Sequence, residues 1–385
     1  MQKAQEQNME TYYEQSPKKK IPIFAVYISE RAIKRATATL RSGYVGDGPI
    51  VREFESKMAH FTHANHAIAV NSGTSALALA LALYDVGARD EVITTAQTFV
   101  ATSHVILSAG AKPVYADVQY MTGNLDPSDI ERRITPRTKA ILPVHWAGYP
   151  CDMQEILAIA NKHGLTVIED AAQALGAHYR GYPIGSISHI TCFSFQAVKQ
   201  LTTVDGGMLC IHDDNLAESA RRRRWFGIDR INRKSTLLGE PEWDITEVGY
   251  KFHMNDVVAS LGTEHMDEFP SIHNRLAKIN ARYRGELSNV PGLTLFEANP
   301  DRESAYWTMC VHVERRCDFV RAVQSRGVDT SVVHLRIDNN TVFGPRCTDL
   351  PNLERLTNTM ICLPLHYQLT DEDVEQVVDS VRKGW

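Results

Sequence analysis

The chain has 385 residues, 43% hydrophobic and 23% charged, enough for a large core and more than a single core holds, since cores stop growing near roughly 250–300 residues. A formal net charge of -5 gives no basic field for nucleic acid, and no apolar run approaches the roughly 18 residues of a membrane span. Seven cysteines without a Cys-x-x-Cys pair exclude a metal-binding or disulfide framework of the usual spacing and predict reduced, buried thiols in a cytoplasmic protein.

Residues 1–20 are polar, end in Lys18-Lys19-Lys20 and lack the apolar stretch of a signal peptide, so a disordered arm is expected. Helical spacing runs from Ser29 to Leu40 and again from Val51 to Phe61, separated by the glycine loop around Gly43, Gly46 and Gly48. A strand over Ala67–Asn71, a small-residue turn and an Ala/Leu-rich helix over Ala76–Tyr84 follow. Strands are expected at Glu91–Thr95, Lys112–Ala116, Ala140–Val144 and Thr166–Asp170, with helices through Val100–Ala109 and Met153–His163 between them. These apolar strands do not alternate with polar residues, which predicts an α/β protein with a mostly parallel sheet covered on both faces.

Further strands are expected at Thr191–Phe195, Met208–His212, Thr308–Val313 and Thr330–Val333. Helices are expected at Asn215–Arg224, Asp256–Met266, Ser271–Glu286, Arg316–Arg326 and Asp371–Arg382. The division predicted is a large domain over 21–270 and a smaller C-terminal α+β domain over 271–385.

Functional groups in parallel sheets sit just past the carboxyl ends of the strands. Lys199 follows one such end in a nearly uncharged segment, where desolvation would lower its pKa and make a neutral amine available. Asp170 ends another strand, either as a cap or as the partner of a buried cation. A charge pair near 4 Å is worth about 4 kcal/mol at an effective dielectric of about 20, roughly three pKa units before desolvation. Ser72-Gly73-Thr74 at a helix start serves either as an ordinary N-cap or as a phosphate cradle. Phe99 offers a ring to stack on, and Ser194 lies five positions before the lysine. Phosphate cradle, acid, aromatic ring and lysine are together the components of a pyridoxal phosphate (PLP) site.

The same residues carry a family resemblance. Tyr44 through Gly48, Asn71 through Leu77, Thr98 through Thr102, Gly110 through Val114, Ile168 through Ala174, the Lys199 segment and Gly249-Tyr250 are similar, in order, to the PLP-dependent sugar aminotransferases of the DegT/StrS family. That resemblance implies the aspartate aminotransferase (type I) fold, with a seven-stranded-type sheet, and homodimers with active sites shared between subunits. It implies amino transfer from L-glutamate, with pyridoxamine phosphate alternating with PLP, to a keto carbon of a nucleotide-linked sugar. Lys199 would join PLP as a Schiff base, Asp170 would pair with the pyridine nitrogen, Gln173 would bond near the ring hydroxyl and Phe99 would lie on the ring. Ser72, Gly73, Thr74 and Ser194 would hold the phosphate. The family often has Asn where this chain has Lys251, which would reach the neighbouring subunit's phosphate as a point charge.

Lysine rather than histidine at the Schiff-base position implies transamination rather than dehydration. Carbon four of a keto-deoxysugar is the expected acceptor; carbon three, a free ketosugar or cyclitol, and a non-catalytic PLP-binding regulatory protein are the alternatives. Tyr44, Asp47, His334 and Asn339 are the candidate substrate contacts. His145 reads as a satisfied core histidine, and Arg221–Arg224 as a solvated helix face or a diphosphate contact.

Overall fold

A computed structural model describes residues 20–230 and 234–385. Of the expected N-terminal arm, all but Lys20 lies outside the described residues. Helix α1 (Glu30–Ser42) is capped by Ser29, whose hydroxyl accepts the Ala32 N–H, and ends at Gly43 in the left-handed region. Helix α2 (Pro49–Thr62) follows with proline in its first turn.

The chain then alternates: β1 (His66–Val70), α3 (Gly73–Leu83), β2 (Glu91–Thr95), α4 (Ala101–Ser108), β3 (Lys112–Ala116), α5 (Pro127–Arg133), β4 (Thr138–Ile141), α6 (Met153–His163), β5 (Thr166–Asp170), β6 (Ile190–Ser194) and β7 (Gly207–Ile211). These strands form one seven-stranded sheet in the order β1-β7-β6-β5-β4-β2-β3. Only β7 runs against its neighbours, pairing antiparallel with both β6 and β1. The reason is local. The segment from Phe195 to Gly206 turns back without the crossover helix that a parallel pairing requires.

Alternate side chains load the two faces. Ala67, Ala69 and Phe193 join Phe54, Met58 and Phe269 in one core. Ile68, Val70, Ile190 and Cys192 join Leu77, Leu79 and Leu81 in the other. Each large side chain buried in this way contributes roughly 1.5–3 kcal/mol. Helix α7 (Asp214–Arg223) covers the second face through Ala217 and Ala220.

The two helices expected at Asp256–Met266 and Ser271–Glu286 are one, α8 (Asp256–Leu287), with Pro270 inside it. Proline removes one helical N–H. Packing outweighs that loss, because Met266 and Phe269 lie in the sheet core while Ile272, Leu276, Ile279 and Tyr283 lie in a further core beyond it. That core is built on an antiparallel sheet of β8 (Leu293–Leu295), β9 (Met309–Val313) and β10 (Met360–Leu363), with α9 (Arg316–Ser325) and α11 (Asp371–Arg382) against it. Helix α10 (Pro351–Thr359) packs beside β9.

Thr330–Val333 is not a strand. Ser331 makes only an isolated bridge to Cys362, and the run then breaks, because the His334 N–H reaches the Val332 carbonyl at 2.7 Å across Val333 at φ 60°. Helix α3 starts three residues earlier than its apolar pattern, because the Ser72 hydroxyl accepts the Ser75 N–H at 3.0 Å. The cysteines at 151, 192, 210, 310 and 362 are buried thiols, whereas Cys317 is exposed.

Gly207 permits the close approach of β7 to the start of α3: a Cβ there would lie 2.3 Å from the Ser72 carbonyl oxygen and 2.7 Å from the Gly73 nitrogen. Gly207→Ala is expected to cost about 1–3 kcal/mol. Gly285→Ala, on α8 with open space around it, is expected to add about 0.5–1 kcal/mol. Thermal and urea denaturation check both, and equal effects would contradict the packing argument.

Candidate active site

The segment after β6 folds back on itself: the Phe195 N–H bonds the Gly206 carbonyl at 2.8 Å, the Thr203 N–H the Phe195 carbonyl at 2.9 Å and the Lys199 N–H the Gln196 carbonyl at 2.9 Å. This holds Lys199 beside the carboxyl ends of β5 and β6. Its side chain opens into a cavity of about 330 Å³ whose lining includes Ser72, Gly73, Thr74, Phe99, Asp170, Gln173, Ser194 and His334. Nine residues singled out from the sequence therefore come together, although they span most of the chain.

Packed protein around the Lys199 amine brings its pKa down to about 8, while the charge of Asp170 acts the other way. Burial pushes the Asp170 carboxyl up, against a hydrogen bond from Thr102, the Ala172 N–H and the charge of Lys199. Thr102 donates to Oδ2 at 2.7 Å and Ala172 to Oδ1 at 3.1 Å. Among the described residues, no side-chain cation lies within salt-bridge distance of Asp170. Burial and the nearby lysine hold His334 neutral, at about 4. It is presented by the Val333 turn, a strained conformation for a β-branched residue.

Gly73 begins α3 against Ser194, whose Cβ would lie 2.7 Å from any Cβ at that position. Ser72, Gly73 and Thr74 at the start of α3 line the cavity together with Ser194, the makings of a phosphate cradle. The Ser72 hydroxyl itself is occupied as the N-cap. Gln173 is buried, and its Oε1 accepts the Ala147 N–H at 2.7 Å. Phe99 is 53% exposed and lines the cavity, its ring centroid 5.1 Å from that of His334.

The remaining candidates do not line this cavity. Tyr44 is 82% exposed on the glycine loop, and Asn339 is exposed on a short turn. The Asp47 carboxylate pairs with Arg230 at 3.2 Å and Arg224 at 3.5 Å. It borders a separate arginine-rich cavity of about 590 Å³. The Lys251 amine lies 5.7 Å from the Trp225 ring centroid of its own chain. Of the arginine run, Arg222 and Arg223 bond Glu247, and buried Arg224 bonds Glu55, so the solvated-face expectation does not hold for these three. His145 is a satisfied core residue. Its Nε2 lies 2.7 Å from Glu169, and its Nδ1 accepts the Cys151 N–H at 3.1 Å.

Sequence reasoning missed Trp307 and Asp205, which line the cavity, and gave no separate role to Thr102, which orients Asp170. Thr102 could have been found from its place one helical turn after Thr98, whose hydroxyl it meets at 2.8 Å.

Cavity and fold together define an enzyme of the type I PLP-dependent class. The chain matches the DegT/DnrJ/EryC1/StrS aminotransferase family over residues 26–382 and belongs to it; it is a PLP-dependent aminotransferase. It is similar to the spore coat polysaccharide biosynthesis protein SpsC of Bacillus subtilis, with 37% identity covering 94% of this chain and 96% of the relative. Among solved structures, the sugar aminotransferase CalS13 from Micromonospora echinospora matches with a TM-score of 0.90 and 35% identity, covering 95% of this chain and 100% of that one. The putative sugar aminotransferase Spr1654 from Streptococcus pneumoniae, in its PLP form, matches with a TM-score of 0.88 and 29% identity over 94% and 98% of the two chains.

The cavity fits PLP. A buried carboxylate with donors and, among the described residues, no side-chain cation at salt-bridge distance suits a protonated pyridine nitrogen, and the start of α3 lines the same cavity beside Ser194, where a phosphate would sit. Thr102→Val removes a donor from the charged form of Asp170 and raises its pKa further, so less carboxylate is available to a cation. PLP retention is expected to fall about 5- to 30-fold at pH 7, with the deficit shrinking as pH rises. Equilibrium dialysis measures this, and unchanged affinity would contradict the assignment.

Proposed function

We propose that the enzyme moves the amino group of L-glutamate onto a keto carbon, C4, of a nucleotide-linked keto-deoxysugar used to build a polysaccharide. The observation that carries this reading is the Lys199 amine, brought down to about 8, in one cavity with the buried Asp170 carboxyl and the start of α3. A sugar acceptor is supported by the likeness to CalS13, and a polysaccharide product by the likeness to SpsC. The C4 position, the nucleotide and glutamate follow from the family resemblance.

PLP, when bound, supplies the electron sink that makes the hydrogen on the amino-bearing carbon acidic. Asp170 would hold its pyridine nitrogen, Gln173 its ring hydroxyl and Phe99 its face, with Gly73, Thr74 and Ser194 on the phosphate. Thr102 and the Ala172 N–H fix the Asp170 carboxylate that would hold that nitrogen. In each half of the reaction the Lys199 amine would move a proton between the cofactor carbon and the substrate carbon. Brought down to about 8, the amine is far more available in its neutral form near pH 7 than a lysine at its ordinary value. His334, neutral in its turn, offers a ring nitrogen to a sugar hydroxyl.

In this reading the enzyme is a homodimer. Lys251 faces the phosphate bound by the neighbouring copy, and Tyr44 lies at the rim of that same cavity. Asp47 and Asn339 stay outside the pocket of their own chain. The large domain would end at residue 270 and the small one begin at 271, within α8, whose residues enter two cores.

Purified enzyme is expected to show the visible absorbance of lysine-bound PLP, to lose it on adding glutamate and to lose both properties in Lys199→Ala. A colourless protein indifferent to PLP and glutamate would overturn the enzyme reading. Offered 3-keto and 4-keto sugars on different nucleotides, the enzyme is expected to aminate C4, as read by NMR of the product. Amination at C3, or only of free ketosugars or cyclitols, would replace the acceptor. Lys251→Ala is expected to weaken PLP binding about tenfold, as for losing a charged phosphate contact; tight PLP binding by a monomer would contradict the shared site.

A further inference from the structure

Trp307 is 3% exposed, and the Lys199 Nζ lies 4.2 Å from its ring centroid. The indole is also tied to the backbone on which that amine rides: its Nε1–H donates to the carbonyl of Val198, the residue before the lysine, at 3.0 Å. Gln200, the residue after it, donates through Nε2 to the carbonyls of Gln173 at 2.9 Å and Ala305 at 3.1 Å. Two side-chain bonds thus lock the lysine turn to the segment that presents the tryptophan.

That segment is held in an uncommon conformation. Tyr306 has φ 54°, fixed by the Ser304 hydroxyl accepting its N–H at 3.0 Å. Strain of this kind persists only where surrounding contacts impose it. The indole face is further fixed by near-parallel rings, Phe24 at 5.1 Å and 25° and His334 at 6.0 Å and 28°.

We propose that Trp307 is a positioning residue for amino transfer: its indole face receives the Lys199 ammonium whenever the lysine is released from the cofactor and keeps it over the cavity for the second half of the reaction. Asp170 from the end of β5 also draws the ammonium, His334 is neutral, and Asp205 lines the cavity from the loop before β7. The aromatic face therefore shares with Asp170 the task of opposing burial, which alone would drive the amine to a lower pKa and loosen its aim. This inference rests on Lys199 being the cofactor-linked amine.

The test reads the lysine itself. Trp307 is replaced in the full-length enzyme by mono-, di-, tri- and tetrafluorotryptophan, which keep the shape of indole while draining charge from its face, and by Phe and Leu. The apparent pKa of Lys199 is taken from the pH dependence of its acetylation by acetic anhydride, followed by peptide mass spectrometry in the cofactor-free and pyridoxamine-phosphate-loaded forms. A progressive fall with each fluorine is expected, reaching about half to one and a half pH units, with Trp307→Phe between wild type and Trp307→Leu. The acid limb of the pH–kcat profile should move down in parallel, with kcat reduced more than KM. A flat lysine pKa across the fluorinated series, with folding and cofactor content unchanged, overturns the proposal even if the Leu variant fails to fold. Absence of a lysine–PLP absorbance band in the wild type would instead remove the assignment of Lys199, an outcome read separately from the indole effect.

Discussion

The site depends on keeping an amine and a carboxyl group out of bulk water on neighbouring strand ends. Burial alone drives both toward neutrality, the lysine downward and the aspartate upward. Their mutual attraction opposes both shifts, without a direct ion pair that would neutralise the two groups and close the cavity. The sheet order sets this spacing: β5 and β6 are parallel neighbours, so Asp170 at the end of one faces the turn that follows the other. A direct bridge would have been a structural feature; a held separation leaves room for chemistry.

Much of this could be read from the sequence, and the reasons differ by element. The buried strands Glu91–Thr95, Lys112–Ala116 and Thr166–Asp170 and the helix Met153–His163 follow their expected bounds because short apolar runs between turn residues have few other fates in an α/β chain. Thr330–Val333 has the β-branched composition of a strand, but the γ-turn that aims His334 overrides that propensity. Proline at 270 removes one helical hydrogen bond, and two cores packed against one continuous α8 outweigh that loss. In the site, Lys199, Asp170 and Gly73 are legible because each lies at or just past a strand end.

What stayed hidden was long-range pairing. Nothing near Arg222–Arg224 announces that Glu247 and Glu55 will take up their charge. Trp307 precedes an apolar strand, where an aromatic residue is ordinary core; only the folded chain lays it beside the lysine turn. Tyr44 and Lys251 do not line the cavity of their own chain, so their proposed use falls to the cavity of a second copy.

The antiparallel β6–β7 hairpin constrains the length of the chain around the lysine. Its five residue pairs run in strict register from Ile190 opposite Ile211 to Ser194 opposite Gly207. A one-residue insertion in either strand would swap its inward and outward faces, and one in the turn would displace the amine from Asp170. The length of this hairpin is therefore frozen. The turn that carries His334 and the glycine loop that carries Tyr44 lie outside this strand register. Such a scaffold can change its acceptor by remodelling those loops while the hairpin stays fixed.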